Sequence, residues 1–138
     1  VSVIADAMVK NNPGFDYKRA FDASVTTSNQ RFYEGLGAYL DYHYVPENLS
    51  GNSVSKTLEY AYDDWCIAQM SKKLGLDTFT QVYSKRAQSF EQQFDPQIGF
   101  MRPRLSDGSF KKEFDVLSTH GQGFIEEGVK KITNTSQV

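Results

Sequence analysis

Cysteine is nearly absent from this 138-residue chain, and the single one, Cys66, can form no internal disulfide. It sits in a run of helical periodicity among apolar residues, which marks it as a small buried hydrophobe rather than a reactive thiol. Charge of one sign is equally scarce, since 15 Lys and Arg against 17 Asp and Glu leave a net −2 and a pI near 5.7. A nucleic-acid partner would need a basic patch to displace counterions, whereas the doublets Lys72-Lys73, Lys111-Lys112 and Lys130-Lys131 are scattered and read as solvated surface. No apolar run approaches the ~20 residues of a membrane span, and Val1 opens no leader pattern, so a soluble chain without a membrane partner is expected. His43 and His120 lack a Cys or His at ligand spacing, and no nucleophile elbow supports a serine triad. Internal repeats are missing. So is an initiator Met, and with Val3, Ile4, Ala7 and Met8 placed on the core face of a helix already under way, the expectation is a piece of a longer chain.

What is present is mostly helical pattern. A first helix is expected from 3 to about 10, stopped by Asn11-Asn12-Pro13-Gly14, and a second after an Asp16 N-cap with Ala20, Phe21, Ser24 and Val25 at core spacing. A loop over 26–30 and a short helix over 37–42 lead into a turn at Tyr44-Val45-Pro46. The longest helix is expected over 55–74, with Gly75 at its C′ position. Asp77 or Thr78 then caps a partner helix with Phe79, Val82, Tyr83, Ala87, Phe90 and Phe94 on one face. The two make an αα-hairpin, the first buried and the second amphipathic. Asp95-Pro96 ends the helical pattern, and segments 99–104 and 109–114 flank Leu105-Ser106-Asp107-Gly108 as a β-hairpin. Residues 128–138 are polar and expected to be a disordered tail.

The long helix holds the main puzzle. Leu58, Ala61, Tyr62 and Trp65 make one apolar stripe and Tyr60, Ile67, Met70 and Leu74 a second, yet Glu59, Asp63 and Asp64 lie among them. Burying a carboxylate costs several kcal/mol unless it is partnered. Glu59 and Asp63, four apart, share a face near the start of the helix, and Asp64 points elsewhere. One reading makes Glu59, Asp63, Asp64 and Trp65 a sugar-facing rim, with carboxylates for hydroxyls and a ring for the apolar face of a hexose. The other has these acids satisfying helix ends or pairing with Arg102 and Arg104, which alternate on an expected strand and so face one side. Glu59 and Asp63 alone are too few ligands for calcium or magnesium, and Asp63-Asp64 lacks the third acid of a diphosphate-binding motif.

Long stretches of the sequence resemble a known family. Tyr44-Val45-Pro46, the run Ser53-Val54-Ser55-Lys56-Thr57-Leu58-Glu59-Tyr60-Ala61-Tyr62-Asp63-Asp64-Trp65-Cys66-Ile67-Ala68, and Lys72-Lys73-Leu74-Gly75 resemble the helical domain of glycoside hydrolase family 92, the bacterial exo-acting α-mannosidases. Phe94-Asp95-Pro96, Gly99-Phe100-Met101-Arg102-Pro103-Arg104, Asp107-Gly108-Ser109-Phe110 and Gly121-Gln122-Gly123-Phe124-Ile125-Glu126 continue it in the same order, so that it covers 1–126.

The resemblance implies a mainly α fold, part of an (α/α) toroid over 1–127 with one short β-hairpin. It also implies an inverting, calcium-dependent enzyme that removes terminal mannose, most plausibly α-1,2-linked, from a mannose-containing glycan. Inversion needs two carboxyl groups roughly 6.5–9.5 Å apart with water between them. The family's general acid maps onto Glu126, beside the apolar Phe124 and Ile125 that would help keep it protonated. After Glu126 the chain departs from the family pattern, reading Glu127-Gly128-Val129-Lys130-Lys131. The family's catalytic base and calcium ligands lie further downstream, so the chain by itself is expected to be inactive and to carry no cofactor. Glu59, Asp63, Asp64, Trp65 and Arg102 are the expected sugar contacts. Without the rest of the barrel, Glu59 and Asp63 are expected to be more exposed to water than the pattern alone suggests and nearer to ordinary surface acids. The alternatives are a non-enzymatic helical module binding carbohydrate or protein, and self-association through uncovered helix faces. The family's setting implies a periplasmic or secreted bacterial protein.

Overall fold

A computed structural model describes residues 1–113. The expectations for Glu126, His120 and the tail lie outside the described residues. Five α-helices come first among the described elements: α1 (Ser2–Val9), α2 (Tyr17–Thr27), α3 (Leu36–Tyr42), α4 (Ser53–Lys73) and α5 (Asp77–Arg86). A 3₁₀ helix, Ala87–Gln93, and two short strands, β1 (Phe94–Asp95) and β2 (Phe100–Met101), follow. The fold is mainly α with a small antiparallel sheet, as the patterning implied.

α4 is the spine. Cys66, Ile67, Ala68 and Met70 in its second half pack with Ala5 and Met8 of α1, Phe21 of α2 and Tyr83 of α5. Its first half meets two smaller clusters, one around Leu36, Tyr39 and Val45, the other joining Val54 and Leu58 to Phe100 and Met101 of the sheet. Each large side chain removed from water in this way stabilises the fold by about 1.5–3 kcal/mol. Burial pushes the Cys66 thiol above its usual range, as suits an inert core residue.

Local chemistry accounts for the boundaries. Asp16 caps α2 by accepting from the Arg19 amide at 3.0 Å. Gly75, at φ 71°, takes the left-handed position after α4, and the Leu76 amide closes the turn on the Ser71 carbonyl at 2.9 Å. α3 can begin only because Gly37 has no side chain, since a Cβ there would lie 2.5 Å from the Arg31 carbonyl oxygen.

The structure corrects five expectations here. In α1 the core stripe is Ala5 and Met8, the two that join the α4 core cluster, while Val3 is 82% exposed. α5 starts at Asp77 with Leu76 in the N-cap position and no side-chain cap. Of its expected apolar face only Tyr83 is buried in α5, with Phe79 and Val82 exposed, and from Ala87 the tighter 3₁₀ helix turns Ser89 and Gln93 inward while Phe90 and Phe94 face water. The fourth concerns the hairpin. The paired ladder joins Phe94 to Met101 and Asp95 to Phe100, and the segment around Leu105 to Gly108 closes with the single bridge between Arg104 and Phe110. Pro103, which has no N–H to give, interrupts any longer ladder there. Nor is Lys111 plain solvated surface, for it reaches Glu47 at 2.8 Å.

Candidate functional site

The buried line of α4 runs through Val54, Thr57, Ala61, Asp64, Ala68 and Ser71, so its polar residues lie at core spacing as regularly as its apolar ones. Asp64 sits at the middle of that line with its side chain 1% exposed. Its carboxylate is held on three sides. Arg86 Nη2 lies 2.9 Å from Oδ1, Arg86 Nε donates to Oδ2 at 3.1 Å, and the Tyr39 hydroxyl donates to Oδ2 at 2.8 Å. Burial still pushes the Asp64 carboxyl up to about 6, with Arg86 and Tyr39 pulling the other way. Burial and the Asp64 charge together hold the Tyr39 phenol well above its ordinary range.

Arg86 extends the network. It donates to the Ser28 carbonyl at 3.1 Å and to Asn29 Oδ1 at 3.3 Å, and its guanidinium lies 4.7 Å from the centre of the Tyr83 ring. The Tyr83 hydroxyl in turn meets Ser28 Oγ at 2.8 Å. The end of α2, α3, α4 and α5 are thereby tied together by one polar cluster.

Beside it opens a small pocket of about 70 Å³, lined by Tyr33, Leu36, Tyr60, Asp63, Asp64 and Arg86 among others. Tyr60 donates to the Glu34 carbonyl at 3.0 Å, and burial raises its phenol to about 12. The Glu34 side chain is held by Lys56 at 2.9 Å. Glu59 is exposed, one turn before Asp63. Asp63 is half-buried, and burial raises its carboxyl above the usual range with the Glu59 charge adding to the effect. Ligand pockets for whole small molecules run to about 300–1,000 Å³, so this one admits a hydroxyl or a few waters rather than a hexose ring.

Trp65 lies on another side of α4. It stacks on Tyr62 with ring centres 6.0 Å apart and planes at 13°, over a separate groove between α1 and α4. Arg102 is in the sheet region, where it pairs with Asp95 at 2.9 Å and donates to the Lys111 and Lys112 carbonyls. Arg104 is held by Gln92 and lies 4.4 Å from the centre of the Phe110 ring. The pairing of Arg102 or Arg104 with the Asp63 and Asp64 region is therefore not what forms. Asp95 and Arg86 are the partners taken, Asp95 because β1 and β2 set it beside Arg102, Arg86 because the αα-hairpin sets it opposite Asp64. Of the residues expected to share a rim, Asp63 and Asp64 line the pocket, Glu59 is exposed outside its lining, and Trp65 and Arg102 are set apart.

Tyr33, Tyr39, Tyr60 and Arg86 were not picked out by motif. For Arg86 a signal existed: Asp64 and Arg86 are each eleven residues from Gly75 (75 − 64 and 86 − 75), and a hairpin folded at Gly75 sets such positions opposite one another. No group of three or more His, Cys, Asp or Glu among the described residues could hold a metal ion. Among them also, no helix is long and apolar enough to cross a membrane.

α4 is thus a buried helix backed by an antiparallel partner, with carboxylates and phenols beside a small pocket. Residues 1–136 match the glycosyl hydrolase family 92 catalytic domain. A family GH92 alpha-mannosidase from Bacteroides thetaiotaomicron, solved in complex with mannoimidazole, superimposes with a TM-score of 0.87 at 43% identity over 92% of this chain and 18% of that one. A family GH92 inverting mannosidase from the same organism gives 0.82 at 30% identity, again over 92% and 18%. An uncharacterized secreted glycosidase of Arthroderma benhamiae is 25% identical over 88% of this chain and 19% of its own length. The chain belongs to glycoside hydrolase family 92. It spans less than a fifth of the length of these relatives.

Proposed function

We propose that this chain is part of the catalytic domain of an exo-acting α-mannosidase that releases terminal mannose from a glycan with inversion, α-1,2 linkages being its substrate. The observation that carries the reading is the 43% identity, over 92% of the chain, to an alpha-mannosidase solved with mannoimidazole bound. The secreted relative supports action outside the cytoplasm.

In this reading Glu126 is the general acid that protonates the leaving oxygen, and a carboxylate elsewhere in the enzyme activates the attacking water. In the same reading Asp63 and Tyr60, whose own proton goes to the Glu34 carbonyl, would accept from sugar hydroxyls, and Tyr33 would donate to or accept from them. The network of Asp64, Arg86 and Tyr39 holds that stretch of α4 in place. Calcium dependence rests on the family resemblance alone. With one of the two carboxyl groups, the chain alone should not turn over.

Hydrolysis of an aryl α-mannoside tests this, comparing the chain with a polypeptide that continues it through the complete catalytic domain. The complete domain should release mannose first as the β-anomer by NMR, and Glu126→Gln should lower kcat by about 10²-fold or more. Turnover by the chain alone that disappears in Glu126→Gln would overturn the expected inactivity. An unaffected Glu126→Gln domain, or release of the α-anomer, would sink the catalytic assignment.

A further inference from the structure

Among the described residues four that are not glycine take a positive φ. Asn11, His43 and Asn52 are of types that tolerate it, and Glu34, at φ 40° in the turn before α3, is the exception. Gly35 follows at φ 82°, where a Cβ would lie 2.9 Å from Ser50 Oγ and 3.2 Å from Val45 Cγ1. Strain of this kind persists only where surrounding contacts outweigh it, and it gathers at sites that bind ligands. Here α4 supplies the contacts. Lys56 and Tyr60, four residues apart and so on one face, hold Glu34 at both ends: Lys56 Nζ lies 2.9 Å from its carboxylate, and the Tyr60 hydroxyl donates to its carbonyl at 3.0 Å. Lys56 also donates to Ser50 Oγ at 3.0 Å, which ties the turn to the loop ahead of α4.

The residue that this clamp presents is Tyr33. Its amide donates to the Gln30 carbonyl at 3.1 Å and its carbonyl accepts from the Leu36 amide at 2.7 Å, so it cannot move without the turn. It lines the pocket beside Tyr60 and Asp63. We propose that Lys56 is a positioning residue for the substrate: through Glu34 it holds the strained turn, and with it Tyr33, against the sugar. Lys56 touches no sugar itself. The inference rests on the reading of Tyr33 as a sugar contact. A wall residue that has to be ordered at the moment of binding weakens binding, while the chemical step, made elsewhere, is left alone. Loss of Lys56 therefore acts on affinity and not on turnover.

Kinetics of the complete catalytic domain on an aryl α-mannoside test this. Lys56→Met should raise KM about threefold to tenfold, the effect of one hydrogen bond lost from uniform binding, with kcat unchanged. Glu34→Ala should do the same, and Lys56→Arg, which still reaches Glu34, should keep KM near the parent value. In a Tyr33→Phe background, where KM is already raised, Lys56→Met should add nothing, because its effect passes through that phenol. In the chain alone, trypsin should cut after Arg31 about threefold faster in Lys56→Met, measured against cutting after Arg86, which needs wider opening. A Lys56→Met effect on KM that is the same with and without the Tyr33 hydroxyl, a fall in kcat, or unchanged cutting after Arg31 overturns the proposal and leaves the mannosidase reading standing. An unchanged KM in Tyr33→Phe overturns it by removing Tyr33 from the sugar wall. A parent domain that hydrolyses no mannoside takes down the reading and the proposal together.

Discussion

Replacing Arg86 by Met should destabilise this fold by an amount that changes with pH, and the change is the informative part. Asp64 stands at about 6 in the folded chain against an ordinary 3.8. At about 1.4 kcal/mol per pH unit, that gap opposes folding by about 3 kcal/mol near pH 7.5. The sign follows from proton binding. With its folded value raised, Asp64 contributes stability that is complete below its ordinary value and is lost as the pH rises through about 6. Without Arg86 the buried carboxyl takes up a proton rather than stand ionised and unpaired, which limits its total cost near pH 7.5 to about 5 kcal/mol. The additional loss through Asp64 is then about 2 kcal/mol, and the lost contacts to the Ser28 carbonyl, Asn29 and the Tyr83 ring add about 1–2 more. Arg86→Met should therefore cost about 3–4 kcal/mol near pH 7.5 and only about 1–2 near pH 5, where Asp64 is mostly protonated with or without its partner. Urea unfolding followed by far-UV circular dichroism at the two pH values measures this. Asp64→Asn should in turn flatten the stability slope of the parent chain between about pH 4 and 6. A penalty for Arg86→Met that is equal at both pH values, or a slope that survives Asp64→Asn, refutes the argument.

Gly37→Ala should lower stability by about 1–3 kcal/mol in the same unfolding assay, because its Cβ meets a backbone oxygen that cannot move away. Gly51→Ala, with nothing within 4 Å of the new atom, should leave stability nearly unchanged and serves as the control. Arg102 holds the Asp95 carboxyl below its usual range, so Asp95 supports the fold above that range and the support is lost as pH falls through the folded value. Arg102→Gln should move the midpoint of acid unfolding to higher pH, and an unmoved midpoint would remove Arg102 from that role.

The helices, their order and the pairing of α4 with α5 are legible along the chain because each depends on neighbours a few residues apart. Asp16 as a cap and Gly75 as a stop need only the local backbone. The turn at Asp107-Gly108 forms where expected and is closed by the bridge between Arg104 and Phe110, but the two-residue ladder lies elsewhere, turning on Gly99 at φ 72°. Likewise the apolar face expected beyond Arg86 assumed 3.6 residues per turn where the 3₁₀ helix has about three.

Of the three acids in α4, the chain shows which share a face, and it carries the motifs that place the protein in family 92. It could not say that Asp64 is the buried one, that Arg86 rather than Arg102 or Arg104 neutralises it, or that Trp65 turns away from Asp63 toward α1. Those outcomes depend on which distant side chains arrive at each face of the helix. Periodicity reports which residues share a face, and only tertiary packing supplies what that face meets.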